Sequence, residues 1–430
     1  MRKFFPALLG LLVCAEVAAE QDVLDEVLVT ATRRTVSTVE ISSALTLVDG
    51  ERAREQKLLT DALANNVGVY LQQTTPGQGA AIIRGLRGSS ILHLVDGMRL
   101  NNAIFRSAPT QYFALVPTSA VERVEVLRGT PASLYGSDAV GGVVQVVTRV
   151  PEFTSSDTQF AGEAYAGIDS AELGKIFRGT LDAGNRRLAT SVSAEYMETG
   201  DRRTGSGERI APSGYESKAA RWVLAGNISD ERSWLFDVHY LEQPDTPRID
   251  ELVPGFGQTE PSSSEFMFSP NRRIFAHAKY AHENGALDLD WNVDLAWQRI
   301  DDDRVTRDFE ATDRRREANR SDLLGLVVSG SRVTDSGSWI LGAEAYLDEV
   351  SSSRSEESLV DGQVTVLTPR FPDGSDIARF ALFGNGERQV TERQLLSGGV
   401  RISREDVSLP QTAVSEAASV SVTDASGDIG

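Results

Sequence analysis

The sequence predicts a compact α+β domain over residues 38–152, followed over 153–430 by antiparallel transmembrane β-barrel strands that form only part of a barrel. Three observations predict it. Two valine-rich runs flank a glycine loop in Val121–Thr148. Later segments alternate apolar and polar residues at period two, as strands with one face in an apolar medium must. The connections between those segments alternate short and long, as they do around an outer-membrane barrel.

Residues 1–19 read as a secretory signal: basic Arg2 and Lys3, an apolar run from Phe4 to Ala15, then Val17 and Ala19 at the −3 and −1 positions of a cut. Cys14, the one cysteine, lies inside that run after Val13, which argues against a lipoprotein cleavage site. The mature chain then has no thiol for disulfide or redox chemistry. No later apolar run reaches about 18 residues, so a helical span is not expected. A formal net charge of −19 argues against a nucleic-acid partner. Hydrophobic residues at 40% and aromatics at 7% suit a soluble domain equally well.

Asp25–Thr32, DEVLVTAT, alternates in an extended segment able to add to a partner's sheet edge through main-chain hydrogen bonds. Thr38–Gly50 carries a strand, and Glu51–Asn65 a short helix with Leu58, Leu59, Ala62 and Leu63 on one face, with a further helical turn possible at Thr60-Asp61. Gly68–Gln72 is a strand, and Gln73–Ala80 an exposed tip containing Gln78. Ile82-Ile83 and Ile91–Val95 form two more strands. Arg99–Phe113 lacks periodicity and mixes Asn101, Asn102, Phe105, Arg106, Gln111 and Tyr112, a set suited to a polar, partly flat ligand; loops on a rigid sheet often carry such residues. In the Val121–Thr148 run, Gly136, Gly141 and Gly142 allow the tight turn between strands.

From Thr158 onward, Trp234, Phe236, Val238 and Tyr240, and again Leu287, Leu289, Trp291, Val293, Leu295 and Trp297, share one side of their strands. Turns fall at 184–186, 229–232, 283–285 and 335–337; long polar loops are expected at 197–216, 243–270, 299–319 and 349–375. About eleven strands result.

No catalytic or metal constellation emerges. None of His93, His239, His277 and His282 has two-ligand spacing. His93 reads as a core residue and His239 and His277 as hydrogen-bonding groups on the polar strand face, while Asp301-Asp302-Asp303 reads as a solvated acidic loop. No GK[ST] follows the glycines at 136–142, so no phosphate cradle is expected.

Ile83-Arg84-Gly85, Leu94-Val95-Asp96-Gly97 and the Val121–Thr148 strand–loop–strand together resemble the plug domain of TonB-dependent outer-membrane receptors. The resemblance implies a plug over 38–152, a periplasmic arm over 20–37 and about half of a 22-strand barrel over 153–430, in the outer membrane of a Gram-negative bacterium. Asp25, Glu26, Val27, Leu28, Val29, Thr30 and Ala31 then hold the box that TonB grips. Gln78, Asn101, Asn102, Phe105, Arg106, Gln111 and Tyr112 become apical ligand contacts. Arg84 and Arg128 match the family's plug arginines and, with Glu122 and Glu125, become polar plug–barrel contacts. The implied partners are TonB, outer-membrane lipid and a scarce nutrient such as a siderophore or haem; no enzyme activity, cofactor or metal is implied. Pro247–Leu252 resembles a phrase of the family's haem and haemoglobin receptors. A secreted or surface β-rich binding protein is the alternative, and it predicts that the Trp291 and Trp297 face packs as dry core.

Overall fold

A computed structural model describes residues 28–29, 33, 36–37 and 44–429, apart from 74, 76, 106–111, 130–131, 392–393 and 413–415. The leader expected over 1–19 lies outside them, as do Asp25, Glu26, Val27, Thr30 and Ala31 of the arm and Arg106 and Gln111 of the apical loop. The arm contributes a small antiparallel pair, β1 (Leu28–Val29) with β2 (Val36–Ser37).

The inner domain is built on β3 (Ala44–Asp49), β6 (Ile91–Val95), β7 (Met98–Arg99), β8 (Val121–Arg128) and β9 (Gly142–Thr148), ordered β3-β8-β9-β6-β7, with β4 (Val69–Gln72) and β5 (Ala80–Ile83) paired beside them. Among the described residues only β6 and β9 run parallel. The sheet centre reads as unbroken valine because it is covered on both faces: Val124, Val126, Val144 and Val146 are fully buried. Asp49 caps α1 (Gly50–Glu55) by accepting from the backbone N–H groups of Glu51 and Arg52, which satisfies two of the orphan donors of a helix start.

The helical stretch expected over 51–65 is divided: α1 stops at Glu55, and α2 (Leu59–Ala62) takes the place of the further turn expected at Thr60-Asp61. The interruption is tertiary. Arg178, from the outer wall, donates to the carbonyls of Arg54 and Gln56, so those oxygens are satisfied without continuing the helix. A short α3 (Ala132–Tyr135) sits in the loop before β9.

The wall is one antiparallel sheet. Its path runs through β10 (Gln159–Asp169), β11 (Gly174–Asn185), β12 (Leu188–Thr199), β15 (Tyr215–Ser229), β16 (Arg232–Gln243), β18 (Ser263–His282), β19 (Asp290–Asp308), β20 (Asp313–Thr334), β21 (Gly337–Ser358), β23 (Ser375–Thr391), β24 (Gln394–Leu409) and β25 (Ala418–Ile429). The hairpin β13 (Arg202–Arg203) and β14 (Arg209–Ile210), the short β17 (Thr246–Pro247) with α4 (Ile249–Leu252), and β22 (Val364–Leu367) decorate the long connections. The path has twelve strands among the described residues, not eleven.

The expected loop at 299–319 is also corrected: β19 and β20 continue through it to a connection at 309–312. Cross-strand ion pairs hold this polar extension, Arg320 with Asp301 and Arg314 with Glu265, each at 2.8 Å. Opposed charges substitute for the alternation that marks a strand lower down. Asp301 and Asp302 are accordingly buried in ion pairs rather than solvated in a loop.

No helix among the described residues is long and apolar enough to cross a membrane. The strands are different: Trp222, Phe236, Leu295, Leu324, Trp339, Leu341 and Phe380 stand exposed on the outside of the wall, while the opposite face packs on the inner domain. Leu241, Phe275, Ile300, Leu323 and Tyr346 of the wall share one buried cluster with Ile83, Val95, Val126 and Val146. The apolar strand faces do not pack against each other, as the secreted-protein alternative requires.

Candidate functional site

The chemistry-bearing residues converge where the inner domain meets the wall, and most of the charge comes from the wall. Glu344 on β21, 6% exposed, is the centre of one cluster. Arg33 of the arm donates to it at 2.5 Å, Arg401 of β24 donates to it, and Arg99 of β7 lies 4.0 Å away. Arg33 also stacks on Tyr135 and Phe383, 4.5 and 4.4 Å from the ring centres, a favourable seat for a desolvated cation.

Arg99 pairs with Asp138 at 2.5 Å and donates to the carbonyl of Tyr135 at 2.9 Å. Burial disfavours the charges of Arg33 and Arg99, but Glu344 acting on the first and Asp138 and Glu344 on the second overcome it, and both guanidinium groups are held above their ordinary range. Arg401 donates to the carbonyl of Leu134 at 3.0 Å. It reaches this far because residue 136 is glycine: at φ 82° an added Cβ would lie 3.0 Å from Arg401 Nε.

A second cluster centres on Glu195 of β12, which accepts from Arg178 at 3.0 Å, Thr118 Oγ1 at 3.0 Å and the Ser119 backbone N–H at 3.2 Å. A third runs from Asp96, which accepts from the N–H and hydroxyl of Thr148 at 2.8 Å each, through Arg221, which donates to Thr148 Oγ1 at 3.0 Å and pairs with Asp237 at 2.7 Å. Asp237 also meets His239 at 2.9 Å. Higher up, Tyr112 donates to Asp302 at 3.0 Å and the Ala103 N–H to Asp348 at 2.6 Å. The inner domain is thus fastened by ionic and charge-assisted bonds, the kind that give modest net stability yet are costly to half-break.

The four residues expected to carry these contacts are placed differently. Arg128 donates to the carbonyl of Val67, Glu122 and Glu125 share Arg123 at 2.8 Å, and Arg84 is exposed in a turn at φ 55°. All three bonds stay within the inner domain, because the domain's own turns and neighbouring strand residues reach these side chains first. The residues that do cross, Arg178, Glu195, Arg221, Asp237, Glu344 and Arg401, are lumen-facing charges on strands of period two. Their polar side was legible; their partners were not.

Of the expected ligand contacts, Asn101 accepts from the His93 N–H at 2.9 Å and donates to the Ile91 carbonyl at 3.0 Å, strapping β6. Asn102 accepts from the Ile104 N–H at 3.1 Å. Gln78 and Tyr112 are buried, and Phe105 packs against Tyr112 and His93 with ring centres 5.4 and 5.8 Å apart. Phe105 and Tyr112 are brought together, yet the amides of Asn101 and Asn102 bond to the domain's own backbone. His93 is a core residue beside Phe105 and Phe113, and burial lowers its pKa to about 4. No group of three or more His, Cys, Asp or Glu side chains among the described residues is placed to hold a metal ion.

An inner domain of this topology, enclosed by a wall whose apolar side faces outward, decides the comparison with known proteins. The family model described as the TonB-dependent receptor plug domain matches residues 37–143. The chain carries a TonB-dependent receptor plug domain. It is 34% identical over 232 residues, 52% of its length, to a vitamin B12 transporter, BtuB, of Vibrio vulnificus, in a match that spans 36% of that protein. Its fold matches the copper transporter OprC with a TM-score of 0.76 at 15% identity, covering 90% of this chain and 60% of that one. It also matches the ferripyoverdine receptor of the outer membrane of Pseudomonas aeruginosa, with a TM-score of 0.66 at 14% identity, covering 92% and 56%. The chain therefore spans between about a third and three fifths of these relatives. Its inner domain is the plug.

Proposed function

We propose that the protein serves TonB-energised uptake of a scarce nutrient across the outer membrane of a Gram-negative bacterium, with an iron complex, a siderophore or haem, as cargo. The observation that carries this reading is the position of Arg33. It follows the alternating Asp25–Thr32 segment and is tied to Glu344 of the wall at 2.5 Å, so the arm is moored beside the segment a partner would grip. Cargo contacts at the apex, through Gln78, Asn101, Asn102, Phe105, Arg106, Gln111 and Tyr112, would bear on plug loops bonded to Asp302 and Asp348. Pulling on Asp25–Ala31 by strand addition would then strip Arg33 from Glu344 and loosen the plug. The ferripyoverdine receptor supports an iron chelate as cargo by analogy of fold. A corrinoid is the second reading, favoured by the vitamin B12 transporter with 34% identity.

Deleting Asp25–Thr32 tests the mechanism. Energised accumulation of ferric siderophore, haem or cobalamin is expected to fall to background while binding at the cell surface persists. Accumulation that survives the deletion would overturn the reading.

A further inference from the structure

We infer that the lumenal face of β18 beside β16 carries a buried subsite for an oxyanion with a neighbouring hydroxyl, the pattern of an α-hydroxycarboxylate group on a cargo molecule. Buried wall charges such as Asp237, Asp302 and Glu344 sit in ion pairs; Arg273 has none among the described residues. Arg273 is 1% exposed, and its Nε donates to Gln298 Oε1 at 2.7 Å while its face lies over Phe275, 4.5 Å from the ring centre. Nη1 and Nη2 have no partner. The two acids whose charge reaches it, Asp96 and Asp237, are already engaged, the first by Thr148 and the second by Arg221 and His239.

Two residues along the same face, Asn271 is fully buried with both amide atoms unpartnered, and the residue directly across the ladder, Gln243, is in the same state. Thr246 nearby has a buried, unpartnered hydroxyl. Two primary amides, a hydroxyl and half a guanidinium left bare would together cost several kcal/mol at about 1–3 kcal/mol for each unmet group. Such a set is met by ordered water or by a polar guest that displaces it. The forked Nη pair fits two oxygens of a carboxylate, and amides that both donate and accept, about 7 Å along the strand, fit a hydroxyl. The plug tip closes the site from its own side: Gly77 leaves so little room that a Cβ would stand 2.8 Å from Gln243 Oε1. Assigning the guest as cargo rests on the transport reading; anion binding itself does not.

Thermal unfolding of the full detergent-solubilised chain, titrated with glycolate, acetate and methyl glycolate, tests the site. Glycolate is expected to raise the midpoint saturably, acetate to do so about tenfold more weakly for want of the hydroxyl, and methyl glycolate to have no effect. Arg273→Met should abolish the glycolate response and raise the midpoint without ligand, because an uncompensated buried charge is gone. If R273M does not fold, R273K, which keeps the charge and loses the fork, should weaken glycolate binding, and Asn271→Ala should erase the preference over acetate. An unchanged glycolate response in the Arg273 variants, an equal response to methyl glycolate, or no saturable shift at all would overturn the proposal. None of these readouts involves TonB, so a failure here leaves the arm deletion to judge the transport reading by itself.

Discussion

Two sectors of the plug–wall interface, at similar burial, are built on opposite principles. Around Glu344 three guanidinium groups from the arm, the plug and the wall converge on one carboxylate. Around Arg273 one guanidinium has a single amide oxygen for company. The first arrangement holds the plug in register with the arm. The second leaves hydrogen-bonding capacity unspent along the seam next to the plug tip. A plug that must stay shut and still let a solute pass gains from such asymmetry: a firm ionic mooring on one side and an under-satisfied polar seam on the other.

The sharpest way to break the comparison is to make the clamp resemble the seam. Glu344→Ala leaves Arg33, Arg99 and Arg401 facing one another without their shared acid, and a loss of about 3–5 kcal/mol is expected. Guanidinium-induced unfolding of the plug in detergent, together with faster tryptic cleavage after Arg33, measures it. Glu344→Gln, which keeps the shape and one acceptor, should lose less.

Next in size is a pH effect that should leave both sectors alone. His93 is neutral in the fold, with a pKa lowered from 6.5 to about 4 by burial, whereas the unfolded chain binds that proton readily. Its share of stability is therefore full above about pH 6.5, declines as the pH falls, and is gone near pH 4, a difference of about 3 kcal/mol. Urea unfolding across that window should show the slope, and His93→Gln should flatten it.

Smaller again is Gly77→Ala at the seam, where φ is 74° and the new methyl would meet Gln243; a loss of about 1 kcal/mol is expected, read from the same urea curves. Smallest is Arg299→Ala on the outside of the wall, where the 2.8 Å pair with Asp322 is half open to its surroundings. A change below about 1 kcal/mol, shrinking further in salt, is expected. An Arg299 effect as large as that of Glu344 would mean that burial does not distinguish these ion pairs.

The plug strands and the period-two wall were readable because each obeys a local rule: β-branched residues where both faces are covered, alternation where the two faces meet different media. Where local rules compete with distant groups, reading along the chain failed. A helix pattern over 51–65 is cut in two by Arg178, more than a hundred residues away. A polar stretch at 299–319 is strand because Arg320 and Arg314 find acids on β19 and β18. Arg84 and Arg128 matched a family motif, yet Arg128 bonds within the plug and Arg84 is exposed in a turn.

Sequence alone determined that this chain has a valine-cored α+β domain and amphipathic strands with an apolar outward side, since composition and period act over a few residues at a time. Only the tertiary structure decided that Glu344 gathers Arg33, Arg99 and Arg401, that Asn101 is a strap on β6, and that the side-chain amides of Gln243 and Asn271 and the Nη pair of Arg273 are buried without partners. Those are matters of which side chains meet after the wall has curved round the plug, and a buried charge or amide is stable or unsatisfied only according to what stands opposite it.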